Sequence, residues 1–188
     1  LVVDEDTVVS GSFTVGDLVV AEGATHFTEG DTAITVIGTI DLPGRIRYRE
    51  SAFMSAGREP ALCETPFGTM GLSICYDLRF PELYRQYSAQ GAALLLVPAA
   101  FTMETGRDHW EPLLRARAIE NQCFVLATGQ TGNKESGLVC YGRSMAVDPW
   151  GIVIAQAADE EGILMVELDL TATERARKRL PALRHRRL

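Results

Sequence analysis

The chain has 188 residues, of which 46% are apolar and 23% charged, and its net charge of −7 gives an isoelectric point of about 5.0. This composition is typical of one globular domain with a true hydrophobic core. The acidic balance argues against nucleic-acid and membrane partners, because nucleic acids and anionic membranes both attract basic surfaces. No window approaches the ~18 apolar residues of a membrane span, and no leader pattern is evident.

Four cysteines indicate the cellular compartment. They show no CxxC spacing and no neighbouring histidine pair, so the sequence predicts no metal site. A disulfide framework is not expected in an enzyme-sized chain this poor in cysteine, which favours a reducing, cytoplasmic location.

The first half of the chain begins with short β-like runs, LVV, DLVV and AITVIG, separated by glycine and aspartate. From Leu62 the residue pattern of the sequence changes, and GTMGLSIC predicts a buried strand. PELYRQYSAQGA predicts a helix that begins at Pro81, because proline is favoured in a first helical turn. ALLLVPAA is continuously apolar, which is typical of a strand covered on both faces.

The second half continues the alternation. Residues 106–121 carry Trp110, Leu113, Leu114 and Ala118 at helical spacing, which predicts an amphipathic helix. CFVLATG predicts a strand and TGNKESG a loop. Three short strands follow in RSMAVDPWGIVIAQA and GILMVELDL, with a turn at 148–151, and a charged helix closes the chain. The order of elements predicts an α/β layered domain with a mixed sheet.

Cys75 lies where the predicted strand GTMGLSIC ends and a turn leads into the helix at Pro81. This placement resembles a nucleophile elbow, in which the side chain projects from a sheet edge near backbone N–H groups. A nearby helix N-terminus would favour a thiolate. On the residues alone, two interpretations stay open, a small core residue and a nucleophile.

A cysteine nucleophile requires a base. The histidines His26, His109 and His185 do not stand in a context that suggests a Cys–His pair, so a carboxylate is expected. Glu50, in RYRES, is the best local candidate, with a surface carboxylate paired to a neighbouring arginine as the alternative. Asp77 and Arg79 are interpreted as a turn-stabilising pair.

The stretch GLSICYDLRFPE resembles the signature of the nitrilase, or carbon–nitrogen hydrolase, superfamily in its Nit-like amidase branch. The similarity continues through DLPGRIRYRES, VPAAFTMETGRDHWEPLLRARAIENQCFVLATGQTG, YGRSMAVDPWG and RLPALRHRR. It covers residues 41–188, whereas residues 1–40 look divergent. We therefore expect a single carbon–nitrogen hydrolase domain over residues 1–188.

The resemblance implies a four-layer α-β-β-α sandwich, here incomplete at the N-terminus, that forms homodimers through one helical layer. It also implies hydrolysis of a small-molecule amide or nitrile-like C–N bond, with no metal and no organic cofactor. Cys75 matches the family's nucleophile, and Glu50 matches its supporting glutamate. The N–H of Tyr76 would contribute to the oxyanion hole.

The sequence positions of several other residues predict pocket-lining or structural roles. Phe101 and Thr102 follow the strand after the Cys helix, where sheet-edge loops often line a pocket. Arg115, Arg117 and Glu120 are expected to form ion pairs that hold the Cys75 loop. Trp110 is expected in the core, and His109 is interpreted as structural.

Two expected family residues are not found at their places. Ile34 stands about where the family's catalytic lysine belongs, and the two lysines, Lys134 and Lys178, both follow Cys75. The lysine's function is therefore missing unless Arg45 or Arg47 takes it over, and a guanidinium does not fill the place of a compact ammonium. The general-base glutamate belongs further upstream, and Glu22 echoes its pattern but lies too close to Cys75. We therefore expect a chain that lacks the family's first third.

Three hypotheses follow. The first is a cysteine-dependent amidase. The second is a catalytically silent, truncated family member that acts only as a dimerising or binding module. The third is an unrelated α/β domain whose cysteine belongs to the core.

Overall fold

The computed structural model describes residues 2–3, 19–20, 57–133 and 137–187. By its internal contacts the chain divides into two units, Leu1–Ala61 and Leu62–Leu188. In the first unit, β1 (Val2–Val3) and β2 (Val19–Val20) pair in parallel, which confirms the strands predicted in LVV and DLVV. The run AITVIG and residues Glu22 and Glu50 lie outside the described residues.

The remaining elements follow one another in chain order. They are β3 (Ala61–Thr65), β4 (Gly68–Leu72), a 3₁₀ turn (Cys75–Arg79), α1 (Pro81–Ala89), β5 (Leu94–Ala99), α2 (Met103–Asn121), β6 (Phe124–Gly129), β7 (Thr131–Asn133), β8 (Val139–Tyr141), β9 (Met145–Val147), β10 (Val153–Gln156), α3 (Thr171–Arg179) and α4 (Ala182–His185).

Six of these strands form one mixed sheet in the order β10-β9-β6-β5-β4-β3. The central strands β4, β5 and β6 are parallel, with Leu95 opposite both Gly71 and Val125. β9 runs antiparallel to β6 and to β10. The carboxyl ends of the parallel strands therefore meet at one edge, where ligands bind in open α/β sheets.

Both faces of this sheet carry apolar side chains. On the face toward α1, a Cβ added at Gly71 would lie 2.6 Å from the Tyr87 ring and 3.0 Å from Leu95, so the helix packs closely on the strands. On the other face, Met70, Leu94 and Phe124 form a buried cluster. This confirms that β5 is covered on both faces, as its continuous apolar run predicts.

Two predictions about the second half are wrong. The sequence predicts a loop in TGNKESG, but Thr131–Asn133 forms β7 and pairs with β8. It predicts a strand in GILMVELDL, but residues 162–170 form no strand. Its side chains alternate as in a strand, with Ile163 90% exposed and Met165 86% exposed. A strand also requires a neighbouring backbone, and within the described residues no strand pairs with this segment.

No helix in the part of the chain that the structure describes is both long and apolar enough to cross a bilayer.

Candidate active site

Cys75 occupies a sharp reversal of the backbone. The extended chain of β4 continues through Ile74 (φ −140°, ψ 129°), and Cys75 then adopts φ +45° as the first residue of the 3₁₀ turn. A non-glycine residue with positive φ is uncommon and strained, and such residues cluster at functional sites. Cys75 is 7% exposed. Its strand–turn–helix placement is the one predicted from the sequence.

The strand end before Cys75 is fixed by Ser73. The backbone N–H and the hydroxyl of Ser73 both donate to the carbonyl oxygen of Leu96, at 3.0 and 2.8 Å. The same hydroxyl lies 2.7 Å from Oη of Tyr84, which is fully buried in α1. Burial raises the pKa of Tyr84, so the phenol stays protonated. These contacts tie the residue two positions before Cys75 to β5 and to α1.

Asp77 closes the 3₁₀ turn onto the strand end. The N–H of Ile74 donates to Oδ2 of Asp77 at 2.9 Å, and the N–H of Asp77 donates back to the Ile74 carbonyl oxygen at 2.9 Å. Burial raises the pKa of Asp77, and the hydrogen bond from Ile74 opposes this shift. Asp77 therefore stabilises the turn, as predicted.

The predicted partnership of Asp77 with Arg79 is wrong. The Arg79 guanidinium lies 5.1 Å from the Phe101 ring centre and 5.9 Å from that of Tyr76, and its Nη1 lies 3.2 Å from Nδ1 of His109. Asp77 turns back to the strand end instead, because the N–H groups of a turn attract a carboxylate locally.

Arg117 fixes the other end of the turn. Its Nε and Nη2 donate to the carbonyl oxygen of Leu78 at 3.1 and 2.7 Å, and Nη1 donates to Oε1 of Glu120 at 3.0 Å. Arg117 is 5% exposed, and its guanidinium lies 5.3 Å from the Tyr84 ring centre. The prediction that Arg117 and Glu120 form an ion pair that holds the Cys75 loop is confirmed.

The same prediction is wrong for Arg115, whose hydrogen-bond partners lie outside the Cys75 turn. Its Nε donates to the carbonyl oxygen of Gly151 at 2.9 Å, and its carboxylate partner is Glu111 at 3.5 Å. Arg115 and Arg117 are two residues apart, so they leave the helix in different directions. Arg115 therefore supports the turn at 148–151 and not the Cys75 turn.

Phe101 and Thr102 lie between β5 and α2, at the carboxyl edge of the sheet. Phe101 is 7% exposed and packs on Trp110 with ring centres 5.0 Å apart. Thr102 is the N-cap of α2 and accepts the N–H of Thr105 at 3.4 Å. The Arg79 contact brings Phe101 next to the Cys75 turn. Roles for Phe101 and Thr102 in substrate binding stay predictions.

Two predicted site residues remain, Tyr76 and Glu50. Tyr76 is 51% exposed, and its ring lies edge-on to that of Phe80, with ring centres 5.3 Å apart. Glu50 lies outside the described residues, so its role stays a prediction.

The loop 141–144 is not among the site residues that the sequence predicts. Arg143 has φ +59°, and its carbonyl oxygen accepts the indole N–H of Trp110 at 2.8 Å. Its guanidinium forms two hydrogen bonds to Asp159, at 2.7 and 2.9 Å. The hydroxyl of Ser144 accepts the N–H of Gly129 at 3.0 Å, which brings the loop to the carboxyl end of β6. The sequence YGRS contains no signal that predicts a positive φ at Arg143.

The described residues contain no group of three His, Cys, Asp or Glu side chains placed to hold a metal ion. What they bring together at the sheet edge is the buried thiol of Cys75, a cation that contacts two aromatic rings, and a hydrogen-bonded turn.

Comparison with known proteins identifies the family. A carbon–nitrogen hydrolase family model matches residues 21–178. The chain belongs to the carbon–nitrogen hydrolase family. This confirms the resemblance that GLSICYDLRFPE indicates. The chain lies within the nitrilase superfamily, in its Nit branch.

Three relatives illustrate the similarity of this carbon–nitrogen hydrolase. A nitrilase and fragile histidine triad fusion protein, NitFhit, from Caenorhabditis elegans is 49% identical over 150 residues, which are 79% of this chain and 34% of that protein. Its solved structure has a TM-score of 0.74, with 47% identity, and the match covers 82% of this chain and 38% of that chain. A deaminated glutathione amidase from Synechocystis is 46% identical, over 78% of this chain and 55% of that protein.

The third relative is an amidase from Nesterenkonia sp. AN1 with a solved structure. It has a TM-score of 0.63 and 29% identity, and the match covers 82% of this chain and 52% of that chain. That structure has the acetamide moiety of fluoroacetamide added covalently at the active-site cysteine. The carbon–nitrogen hydrolase chain thus spans about half the length or less of these relatives.

Proposed function

We propose that this protein hydrolyses the C–N bond of a small amide through Cys75. The observation that carries the proposal is the φ of +45° at Cys75, in a turn that Ser73, Asp77 and Arg117 hold from three sides. Strain of this kind persists only where the surrounding structure enforces it. The family of amidases to which the chain belongs adds support.

The proposed reaction has two steps. In the first, the Cys75 thiolate attacks the amide carbonyl carbon, and the N–H of Tyr76 donates to the oxyanion that forms. The C–N bond then breaks, and ammonia or an amine leaves with a proton. In the second step, water attacks the thioester, the C–S bond breaks, and the acid and the thiolate are released. Glu50, the candidate base that the sequence itself offers, is proposed to take up the thiol proton of Cys75, to deliver it to the leaving nitrogen, and to remove a proton from the attacking water.

Phe101 and Thr102 are proposed to line the substrate pocket. Phe101 packs beside Arg79, the last residue of the Cys75 turn. Thr102 caps α2 through its side chain, which fixes the loop between β5 and α2. A buried, rigid wall of this kind favours a small substrate over a flexible polymer.

We also propose the finer architecture: one domain over residues 1–188, a four-layer sandwich, and a cytoplasmic homodimer. An exposed apolar patch supports the dimer. Ile119, Trp150, Ile152 and Leu180 are 42–55% exposed. They are neighbours, because a Cβ at Gly151 would lie 2.4 Å from Ile119 and Arg179 lies 4.7 Å from the Trp150 ring centre. Contiguous apolar patches of this kind mark protein interfaces.

Sedimentation velocity tests the dimer. Ile152→Glu is expected to convert the dimer to a monomer, because a buried carboxylate without a partner disfavours association. Ile163→Glu is the matched control, since Ile163 is also an exposed isoleucine but lies outside the patch. A dimer that survives Ile152→Glu would contradict the proposed interface.

A second function is a silent binding module. One observation favours it: Ile34 stands about where the family's lysine belongs, and both lysines of this sequence follow Cys75. Loss of one oxyanion donor commonly costs about 10²–10³ in kcat. A module of this kind would dimerise but release no ammonia.

The test measures ammonia release and covalent labelling together. The protein is incubated with small ω-amides and, separately, with iodoacetamide, and the labelled cysteine is identified by mass spectrometry. We expect ammonia release and fast labelling that Cys75→Ala abolishes and that Cys63→Ala, at a half-buried cysteine, leaves intact. Labelling of Cys75 at the rate of an ordinary thiol, without ammonia, would favour the silent module.

A further inference from the structure

The Arg79 guanidinium is surrounded by uncharged groups. Its centre lies 5.1 Å from the Phe101 ring centre and 5.9 Å from that of Tyr76, both within the range of a cation–π contact. Its Nη1 lies 3.2 Å from Nδ1 of His109. Among the side chains that the structure describes, no carboxylate forms an ion pair with Arg79, so His109 supplies its hydrogen bond.

This hydrogen bond fixes the tautomer of His109. A guanidinium has five N–H donors and no acceptor, so Nδ1 of His109 must accept with its lone pair. The ring proton of the neutral imidazole therefore stands on Nε2. A side chain that offered a donor or a positive charge at the position of Nδ1 would repel Arg79.

His109 stands on a rigid part of α2. The next residue, Trp110, is 1% exposed and donates its indole N–H to the Arg143 carbonyl oxygen at 2.8 Å. Phe101 packs on the same indole. His109 is itself exposed, but its backbone is held by these buried neighbours. The backbone that carries the imidazole is therefore fixed by the packing of Trp110.

Arg79 is the last residue of the turn that begins with Cys75. Its contacts with His109 and Phe101 join this turn to α2 and to the loop before it. Arg117 holds the same turn at Leu78 from the buried side. The exposed side of the turn is thus held through Arg79.

We propose that His109 is a positioning residue of the hydrolase. Its Nδ1 lone pair holds the Arg79 guanidinium between Tyr76 and Phe101, and this fixes the Cys75 turn against the loop between β5 and α2. His109 transfers no proton. The proposal rests on the proposed function, because the positioned thiol is the proposed nucleophile.

The test distinguishes the effect of losing the hydrogen-bond acceptor for Arg79 from the effect of losing the imidazole ring. His109→Asn can place its amide oxygen, Oδ1, where Nδ1 stood and so keeps an acceptor for Arg79. His109→Leu keeps a side chain of similar bulk without an acceptor. Arg107→Leu, at an exposed neighbour on α2 that pairs only with Asp108 among the described residues, is the control for surface change.

Two readouts are measured, the rate of Cys75 alkylation by iodoacetamide and the kcat and KM for an amide of the ω-amide panel. His109→Leu is expected to lower the alkylation rate and kcat by about 3- to 10-fold, the rate equivalent of one net hydrogen bond, with KM little changed. His109→Asn is expected to retain both rates within about 2-fold, since it keeps the same hydrogen bond. Arg107→Leu is expected to match the wild type.

The outcomes are distinguishable. Equal rates in His109→Leu and the wild type would overturn the proposal, and so would an equal loss in His109→Leu and His109→Asn, which would assign a different role to the imidazole. Urea unfolding of each variant identifies any that fails to fold. If the wild type releases no ammonia, the proposed function fails, but the alkylation rates still decide the role of His109.

Discussion

Replacing Arg117 by methionine tests whether the Cys75 turn depends on a buried cation. The substitution removes both donors to the Leu78 carbonyl oxygen and the 3.0 Å ion pair with Glu120. An unsatisfied buried carbonyl costs about 1–3 kcal/mol, and breaking a buried ion pair by removing one partner costs about 3–5 kcal/mol. Glu120 keeps a second partner, Arg85, at 3.6 Å, which favours the lower end. We expect the free energy of unfolding to fall by about 3 kcal/mol.

Urea unfolding followed by circular dichroism measures this loss. In a chain of this size a destabilisation of about 3 kcal/mol lowers Tm by about 6–12 °C. The control is Arg107→Met, because the Arg107 side chain is 71% exposed and solvent screens its pairing with Asp108, so this variant is expected to unfold like the wild type. A loss below about 1 kcal/mol for Arg117→Met would refute the reasoning, since the Leu78 carbonyl would then have found other partners.

Two further predictions concern packing and pH. Gly106→Ala would put a Cβ 2.3 Å from Cβ of Tyr141, so we expect a loss of about 1–3 kcal/mol by urea unfolding, whereas Gly162→Ala, in open space, should be nearly neutral. Burial raises the pKa of the Cys123 thiol to about 11, against the opposing effect of Arg177. The pKa of this thiol is thus higher in the folded protein than in the unfolded chain. Its contribution to the free energy of unfolding is therefore fully present below the unfolded-state pKa, and it is lost as the pH rises through about 11. Unfolding free energies measured from pH 8 to 11 should therefore fall more steeply for the wild type than for Cys123→Ala.

The sequence predicted well those elements whose signals are local. Pro81 marks the first residue of α1, and the apolar run of β5 lies between a turn and a loop. The helix predicted over residues 106–121 begins three residues earlier, at Met103, because Thr102 caps it. Each of these signals acts within a few residues, where propensity and capping dominate.

The failures depend on partners that are distant in sequence. Residues 162–170 have the alternation of a strand, but no strand of the described residues pairs with them. Arg115 binds a carbonyl oxygen 36 residues further along the chain, and Arg79 binds an imidazole 30 residues away. Local charge pattern cannot choose among such partners, because the choice depends on which surfaces the fold brings together.

Among the buried cysteines, a comparison of Cys75 with Cys123 distinguishes the candidate nucleophile from a core thiol. Cys123 is fully buried, and its thiol donates to the Ala92 carbonyl oxygen at 3.1 Å. Its backbone is not in the positive-φ region, and burial raises its pKa, which disfavours a thiolate. Cys75 adopts φ +45°, where a side chain costs energy and glycine would not. A core position that needed only a small apolar group would not require that strain, so the backbone at Cys75 supports the interpretation as a nucleophile.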